Sequence, residues 1–149
     1  MSGPAELTIR LARPDERDAL EDLQRRASLA LAEYRGQLIS ESDAIHLPLE
    51  QIQRGEVIVA EIDDRLAGFA AVMIDNDVAE LDGLFVEPEL WRKGIGAALV
   101  EVAVHEARRQ GRALMVVANP SARDFYEKCG FTVEGEAETR FGPALRMSR

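Results

Sequence analysis

The chain has 149 residues, with 18 Lys plus Arg against 27 Asp plus Glu, a formal net charge of −9, 46% hydrophobic and 30% charged residues. That length supports a single domain with a real core, the composition lies far from the signature of disorder, and a net acidic chain is a poor general binder of nucleic acid. A lone cysteine, Cys129, excludes an intrachain disulfide, and with neither a basic-then-apolar leader nor an apolar run near 18 residues the expectation is a soluble, cytoplasmic protein without a membrane anchor.

Leu7, Ile9 and Leu11 alternate with Thr8 and Arg10, which predicts a half-buried strand. Pro14 suits the first turn of a helix, Asp15, Glu16 and Asp18 suit its positive end, and Leu20, Leu23, Ala27, Leu31 and Tyr34 mark its apolar face, with Gly36 ending it. Between Gln37 and Arg54, Leu49, Ile52 and the closing Gly55 predict a second, shorter helix. Val57–Ile62 and Leu66–Ile74 form a hairpin around Asp63-Asp64-Arg65, and Asp75-Asn76-Asp77 turns the chain into a third strand, Val78–Val86, that Pro88 stops. The middle of the chain is therefore a meander.

From Gly94 to Gln110 the pattern becomes helical, with Ile95, Ala98, Leu99, Val102 and Ala103 on one face and Gly111 as the stop. Ala113–Ala118 is a short apolar run, hence a buried strand. Asn119-Pro120-Ser121 opens another helix, with Ser121 and Asp124 at capping-box spacing and Gly130 closing it. Two strands follow, Phe131–Glu134 and Arg140–Met147, the second interrupted or placed at an edge by Pro143. The order of elements makes the chain, over residues 1–149, one α+β domain with a single mixed sheet flanked by helices.

The most informative stretch is Leu84-Phe85-Val86-Glu87-Pro88-Glu89-Leu90-Trp91-Arg92-Lys93-Gly94-Ile95-Gly96-Ala97: a strand, a loop and a glycine-containing entry into a helix. Unpaired N–H groups at such an entry, with the helix dipole behind them, cradle phosphate, and Arg92 and Lys93 add full charge. No Gly-Lys-Ser/Thr follows, so this is not a Walker A loop, and Leu99 fills the third glycine position of the dinucleotide fingerprint.

Trp91-Arg92-Lys93-Gly94-Ile95-Gly96 resembles the acyl-CoA-binding motif of the GNAT N-acetyltransferases, Arg/Gln-x-x-Gly-x-Gly/Ala, with Trp91 departing from it at the first position. Asn119 to Phe131 resembles the same family's Asn-x-x-Ala-x-x-x-Tyr-x-x-x-Gly-Phe segment. Together the two motifs extend the resemblance over essentially the whole chain. It implies a mostly antiparallel sheet of about seven strands with helices on both faces and a splayed parallel pair, here Val78–Val86 and Ala113–Ala118. It also implies acetyl-CoA as donor, with its diphosphate on Trp91, Arg92, Lys93, Gly94, Ile95, Gly96 and Ala97. The pantetheine arm would pair with backbone at Phe85 and Val86, an N–H near Leu84 or Phe85 would face the thioester oxygen, and Asn119 would hydrogen-bond the arm.

The resemblance gives Tyr126 the role of general acid toward the leaving thiolate; a phenol near pKa 10 can protonate a thiolate of reference pKa about 8.5 as the C–S bond breaks. A lysine-like amine is free in only roughly one molecule in a thousand at neutral pH, so the acceptor needs a base. Glu80 stands where several family members carry it. Glu80 and Asp82 share a strand face with Leu84 and Val86, and Glu80 lies about 13 Å along the strand from Leu84, a distance that suits a water relay. Cys129 reads as a structural thiol, His105 as a surface or packing residue, and His46, near Glu41 and Asp43, as a contact in the acceptor pocket; two histidines so far apart give no zinc pattern.

The expected activity is direct transfer of acetyl from acetyl-CoA to a primary amine, of a small molecule in the first instance, with no metal, nucleic acid or membrane involved and a homodimer allowed. Protein lysine or N-terminal amines are the alternative acceptors, and a non-catalytic acyl-CoA-binding module is the alternative from another class. The charge divides accordingly: residues 1–91 hold 8 basic and 20 acidic side chains, the remainder 10 and 7. The cradle begins the part at +3, whereas Glu80 and Asp82 belong to the part at −12 and would attract a protonated amine.

Overall fold

The computed structural model describes residues 6–35, 47–75, 77–139 and 142–149, and of residues 31–35 the helical backbone alone. Its elements are β1 (Leu7–Leu11), α1 (Arg17–Arg35), α2 (Leu49–Gln53), β2 (Val57–Ile62), β3 (Arg65–Ile74), β4 (Ala79–Val86), α3 (Ile95–Arg109), β5 (Leu114–Ala118), α4 (Arg123–Lys128), β6 (Thr132–Thr139) and β7 (Gly142–Ser148). The seven strands make a mixed sheet in the order β1-β2-β3-β4-β5-β7-β6, with β4 and β5 its parallel pair. No helix among the described residues is long and apolar enough to cross a membrane.

The chain divides into two compact units, Met1–Ala71 with Gly83–Leu99, and Val72–Asp82 with Val100–Arg149. In the first, β1, β2 and β3 are antiparallel neighbours. The β2–β3 hairpin closes on two residues, Asp63 (φ 51°) and Asp64 (φ 62°), with Ile62 paired to Arg65. Both are left-handed, as the hairpin's twist demands, and aspartate tolerates that region better than most side chains. Arg65 thus joins the strand rather than the turn. Leu20 and Leu23 of α1, Ile52 of α2, Val57 and Val59 of β2 and Phe69 of β3 form the core of this unit, with Phe85 packed against it. Ala27 is buried as its helical spacing predicts, whereas the side chains of Leu31 and Tyr34, and residues Gly36, Glu41, Asp43 and His46, lie outside the described residues. β1 differs from expectation. It is an edge strand, bordered by β2 alone among the described strands, and Leu7 and Leu11 are 38% and 56% exposed.

In the second unit β4 and β5 pair at Ala79–Leu114 and Glu80–Met115 and then part. β7 lies between β5 and β6, so Pro143 does not mark an edge strand: it faces Glu138 of β6, beyond the last β5 pairing at Ala118–Leu145, where a missing N–H costs no ladder bond. The edge is β6, which runs on to Thr139 rather than stopping at Glu134, while Arg140 lies outside the described residues. α3 begins in the first unit, where Ile95 and Leu99 are buried, and continues in the second, where Val100, Ala103, Val104 and Ala107 are buried, residues shifted slightly from those its apolar spacing suggests, and Gly111 (φ 73°) ends it. Val117 is 40% exposed, so β5 is not buried throughout.

One close approach decides where β4 lies. A Cβ built on Gly68 of β3 would meet Phe85 O at 2.7 Å and Val86 Cα at 3.3 Å. Backbone atoms cannot swing aside as a flexible side chain can. Gly68→Ala should therefore lower stability by about 1–3 kcal/mol, the usual cost of overpacking, read as a reduced midpoint of thermal unfolding; an unchanged midpoint would mean that β4 is not held at this contact.

Candidate functional site

In the first unit, the end of β4 turns through a 3₁₀ segment, Pro88–Leu90, into the loop before α3. Glu87 N–H donates to Ala67 O at 2.8 Å, and its carboxylate takes two hydrogen bonds from Arg26 of α1, at 2.9 and 3.1 Å. The guanidinium is held above its ordinary pKa chiefly by this bond. Beyond it, Trp91 is extended (ψ 153°), Arg92 is left-handed (φ 66°) and Gly94 is left-handed (φ 82°). The first helical bond runs from Ala98 N–H to Gly94 O at 3.0 Å, which leaves the N–H groups of Ile95, Gly96 and Ala97 without an intrahelical acceptor. Successive amides in a loop whose residues change hand converge into a concavity that suits an anion, and α3 directs its positive end there. Arg92 and Lys93 are exposed beside it. A Cβ on Gly94 would meet open space, so this glycine is required for its backbone angle rather than for clearance.

Trp91 is placed differently from the side chain its motif position suggests. Its indole N–H donates to Val86 O at 2.9 Å, closing the loop on the strand that leads into it. One of the two acceptor positions of that carbonyl is thereby filled. Leu84, Phe85 and Val86 are half-buried, and the Phe85 ring lies 5.3 Å from that of Phe69.

In the second unit, strand alternation sends Ala79 and Leu81 into the core and leaves Glu80 half-buried and Asp82 exposed on the other face. Glu80, Leu81, Asp82, Val117, Asn119, Thr139, Pro143 and Ala144 line a cavity of about 450 Å³. It opens where β4 and β5 cease to pair. Burial, and then Asp82 and Asp75, raise the Glu80 carboxyl above the usual range, which makes it a stronger proton acceptor than a free carboxylate. The cavity thus brings together three of the residues singled out in the sequence: Glu80, Asp82 and Asn119. The contribution of Thr139, Pro143 and Ala144 carried no sequence signal, since it depends on β7 lying beside β5.

Asn119, not Ser121, caps the turn that leads into α4: its Oδ1 accepts from Ser121 N–H at 3.0 Å and from Ser121 Oγ at 2.8 Å. Pro120 fixes the first position after the cap, and the capping-box pairing of Ser121 with Asp124 is not formed. Tyr126 of α4 is 8% exposed, with its ring edge-on to Phe125 at 5.0 Å and Phe131 at 5.5 Å. Burial above all pushes its hydroxyl up to about 12. Cys129 is half-buried, and burial followed by Glu101 raises its thiol, with Arg149 opposing; a thiol raised in this way is a weak nucleophile. His105 is exposed. Among the described residues, no three His, Cys, Asp or Glu side chains gather as a metal site requires.

The model of a family described as "Acetyltransferase (GNAT) family" matches residues 15–131. An uncharacterized N-acetyltransferase of Methanocaldococcus jannaschii is 34% identical over 84 residues, 49% of this chain and 37% of that protein. The [ribosomal protein bS18]-alanine N-acetyltransferase of Salmonella typhimurium is 33% identical over 73 residues, 46% of this chain and 49% of that protein. The chain therefore spans less than half the length of these two curated relatives. The crystal structure of PaiA N-acetyltransferase from Thermoplasma acidophilum in complex with coenzyme A superposes with a TM-score of 0.78, covering 97% of this chain and 98% of that one at 22% identity, a likeness of fold.

The cap at Asn119 is separable from any use of its amide. Asn119→Ala should destabilise the protein by about 1 kcal/mol and Asn119→Asp by much less, since the carboxylate keeps the acceptor; equal losses in thermal unfolding would show that Oδ1 is not the group that matters.

Proposed function

The chain belongs to the acetyltransferase (GNAT) family, and on that premise we propose that it transfers an acetyl group from acetyl-CoA directly to a primary amine, with residues 1–149 acting as one N-acetyltransferase domain in the cytoplasm. The observation that carries this reading is the anion cradle at the start of α3. There, left-handed Arg92 and Gly94 present three amides that have no intrahelical acceptor, beside two exposed cations. A donor that carries a diphosphate fits that arrangement.

In the reaction the amine nitrogen bonds to the thioester carbonyl carbon, the C–S bond breaks, and the thiolate departs with a proton. A backbone N–H near Leu84 or Phe85 faces the oxyanion, with the pantetheine arm alongside Phe85 and Val86. Asn119 has its Oδ1 committed to Ser121, so it would meet the arm through its amide N–H group. Tyr126 supplies the proton. Although burial makes its phenol a weaker acid, a thiolate released into similarly dry surroundings is itself more basic, which narrows the gap between them. Glu80, through water, takes the proton that the amine loses.

A small-molecule amine is the acceptor we favour, because the cavity at Glu80 and Asp82 has the volume of a small-ligand site and carries negative charge on its wall. The second reading, an N-terminal amine of a protein, is favoured by the likeness to the bS18-alanine enzyme. Thiol release from acetyl-CoA, followed across amine metabolites and N-terminal peptides, tests the activity and separates the acceptors; no release with any amine would reduce the chain to a binding module. Tyr126→Phe should lower kcat about tenfold or more with donor affinity little changed, and unchanged turnover would remove it as the acid. Reversing Arg92 and Lys93 together to Glu should weaken CoA binding by an order of magnitude or more, since two attractive charges become repulsive, and calorimetry that showed equal affinity would displace the cradle.

A further inference from the structure

The first position of the cradle motif holds Trp91, where the resembled pattern has Arg or Gln, and its indole N–H is spent within the chain on Val86 O at 2.9 Å. The segment it closes contains a non-glycine residue in the left-handed region, Arg92 at φ 66°, a conformation that persists only where neighbouring structure imposes it. Besides the backbone bonds of the 3₁₀ turn, Leu90 N–H to Glu87 O at 2.8 Å and Trp91 N–H to Pro88 O at 3.3 Å, and the exposed Arg65–Glu89 pair at 3.8 Å, two further anchors hold the ends of the segment. One is Glu87, tied to Ala67 O and to Arg26, at the start of the segment. The other is the Trp91 side chain, immediately before Arg92. Between Trp91 and the first helical bond of α3, at Gly94 O, no further hydrogen bond or ion pair is seen among the described residues.

We propose that Trp91 is a positioning residue for the acetyl donor: by holding Val86 O, its indole N–H fixes the loop whose backbone directs the Ile95, Gly96 and Ala97 amides at the donor's diphosphate. The identity of that ligand rests on the acetyltransferase reading. The hydrogen bond fastens the loop to the strand before it, so the departure from Arg or Gln exchanges a polar chain at the motif's first position for an internal clamp. Phosphate binding is the function that depends on it. The pantetheine end, alongside strand backbone at Phe85 and Val86 that the β3 contact already holds, depends on it less.

The test compares two donors, acetyl-CoA and S-acetyl-pantetheine, which lacks the diphosphate, in the parent protein, Trp91→Phe and Trp91→Gln. Phe keeps an aromatic ring without a donor; Gln restores an N–H without the ring. Trp91→Phe should raise KM for acetyl-CoA about five- to tenfold, the range that one lost hydrogen bond gives. Its kcat should stay within about twofold, its kcat/KM for S-acetyl-pantetheine should fall far less than that for acetyl-CoA, and its Ala98 amide, which donates to Gly94 O at the start of α3, should exchange faster in the free protein. Trp91→Gln should recover part of the donor KM. An unchanged acetyl-CoA KM, or an equal loss with both donors, would overturn the proposal, and so would a folded Trp91→Gln protein no better than Trp91→Phe. Should the Phe variant not fold, Trp91→Gln against the parent decides by the same donor comparison. Failure of the acetyltransferase reading shows instead in the parent, as absent thiol release and absent CoA binding; hydrogen exchange, which needs no donor, still reports whether the indole holds the loop.

Discussion

The contact of β3 with β4 at Gly68 is the constraint on which the first unit depends. Phe85 O comes so near that no side chain fits between the strands, and the Glu87 N–H to Ala67 O bond continues the same apposition past the end of β4. The end of β4 is thereby fixed in direction before the chain turns away. Arg26 then fastens Glu87 to α1, and Trp91 fastens the far side of the turn to Val86. A loop with two left-handed residues is thus suspended between these supports, which restrict the backbone that carries the three amides. Preorganisation of this kind reduces what binding must spend on ordering backbone.

The second unit uses the opposite device, an interruption of pairing. β4 and β5 share two residue pairs and then separate, which opens a cavity against β7 and the end of β6 without removing any core residue. Burial acts on both groups proposed for proton transfer in this unit. It raises the Glu80 carboxyl, which improves it as a base, and it raises the Tyr126 hydroxyl, which holds the proton until a sufficiently basic partner forms. Neither shift needs an opposing charge. Cys129 shows the same effect without a use for it, since a raised thiol is simply quieter.

Local chemistry was legible in the sequence where a single stretch of chain decides the outcome. Asp63 and Asp64 take the left-handed turn their composition favours, Asp75 closes its own turn by accepting from Asp77 and Val78, and the glycine entry to α3 lies where the pattern places it. What was not legible depends on distant neighbours. Leu7 and Leu11 alternate like buried residues but lie on a strand with one partner among the described strands; Pro143 reads as an edge marker yet sits in an inner strand, just past the reach of β5. Ser121 has capping-box spacing, but Asn119, one residue before the proline, reaches the orphan N–H first. The role of Trp91 is hidden for the same reason: its partner is a carbonyl five residues back, and no residue pattern records a side chain that bonds to backbone.

β6 ends the sheet with one side of its backbone unpaired by any described strand. Such a rim is a template on which a second chain can extend the ladder, the first step of edge-to-edge aggregation. Along it, Glu134, Glu136 and Glu138 recur at alternate positions and are all exposed. An approaching copy would bring the same row of carboxylates against its own. The acidity that first served to set nucleic acid aside is, at this margin, a deterrent: like charges brought face to face oppose the strand pairing that would extend the sheet.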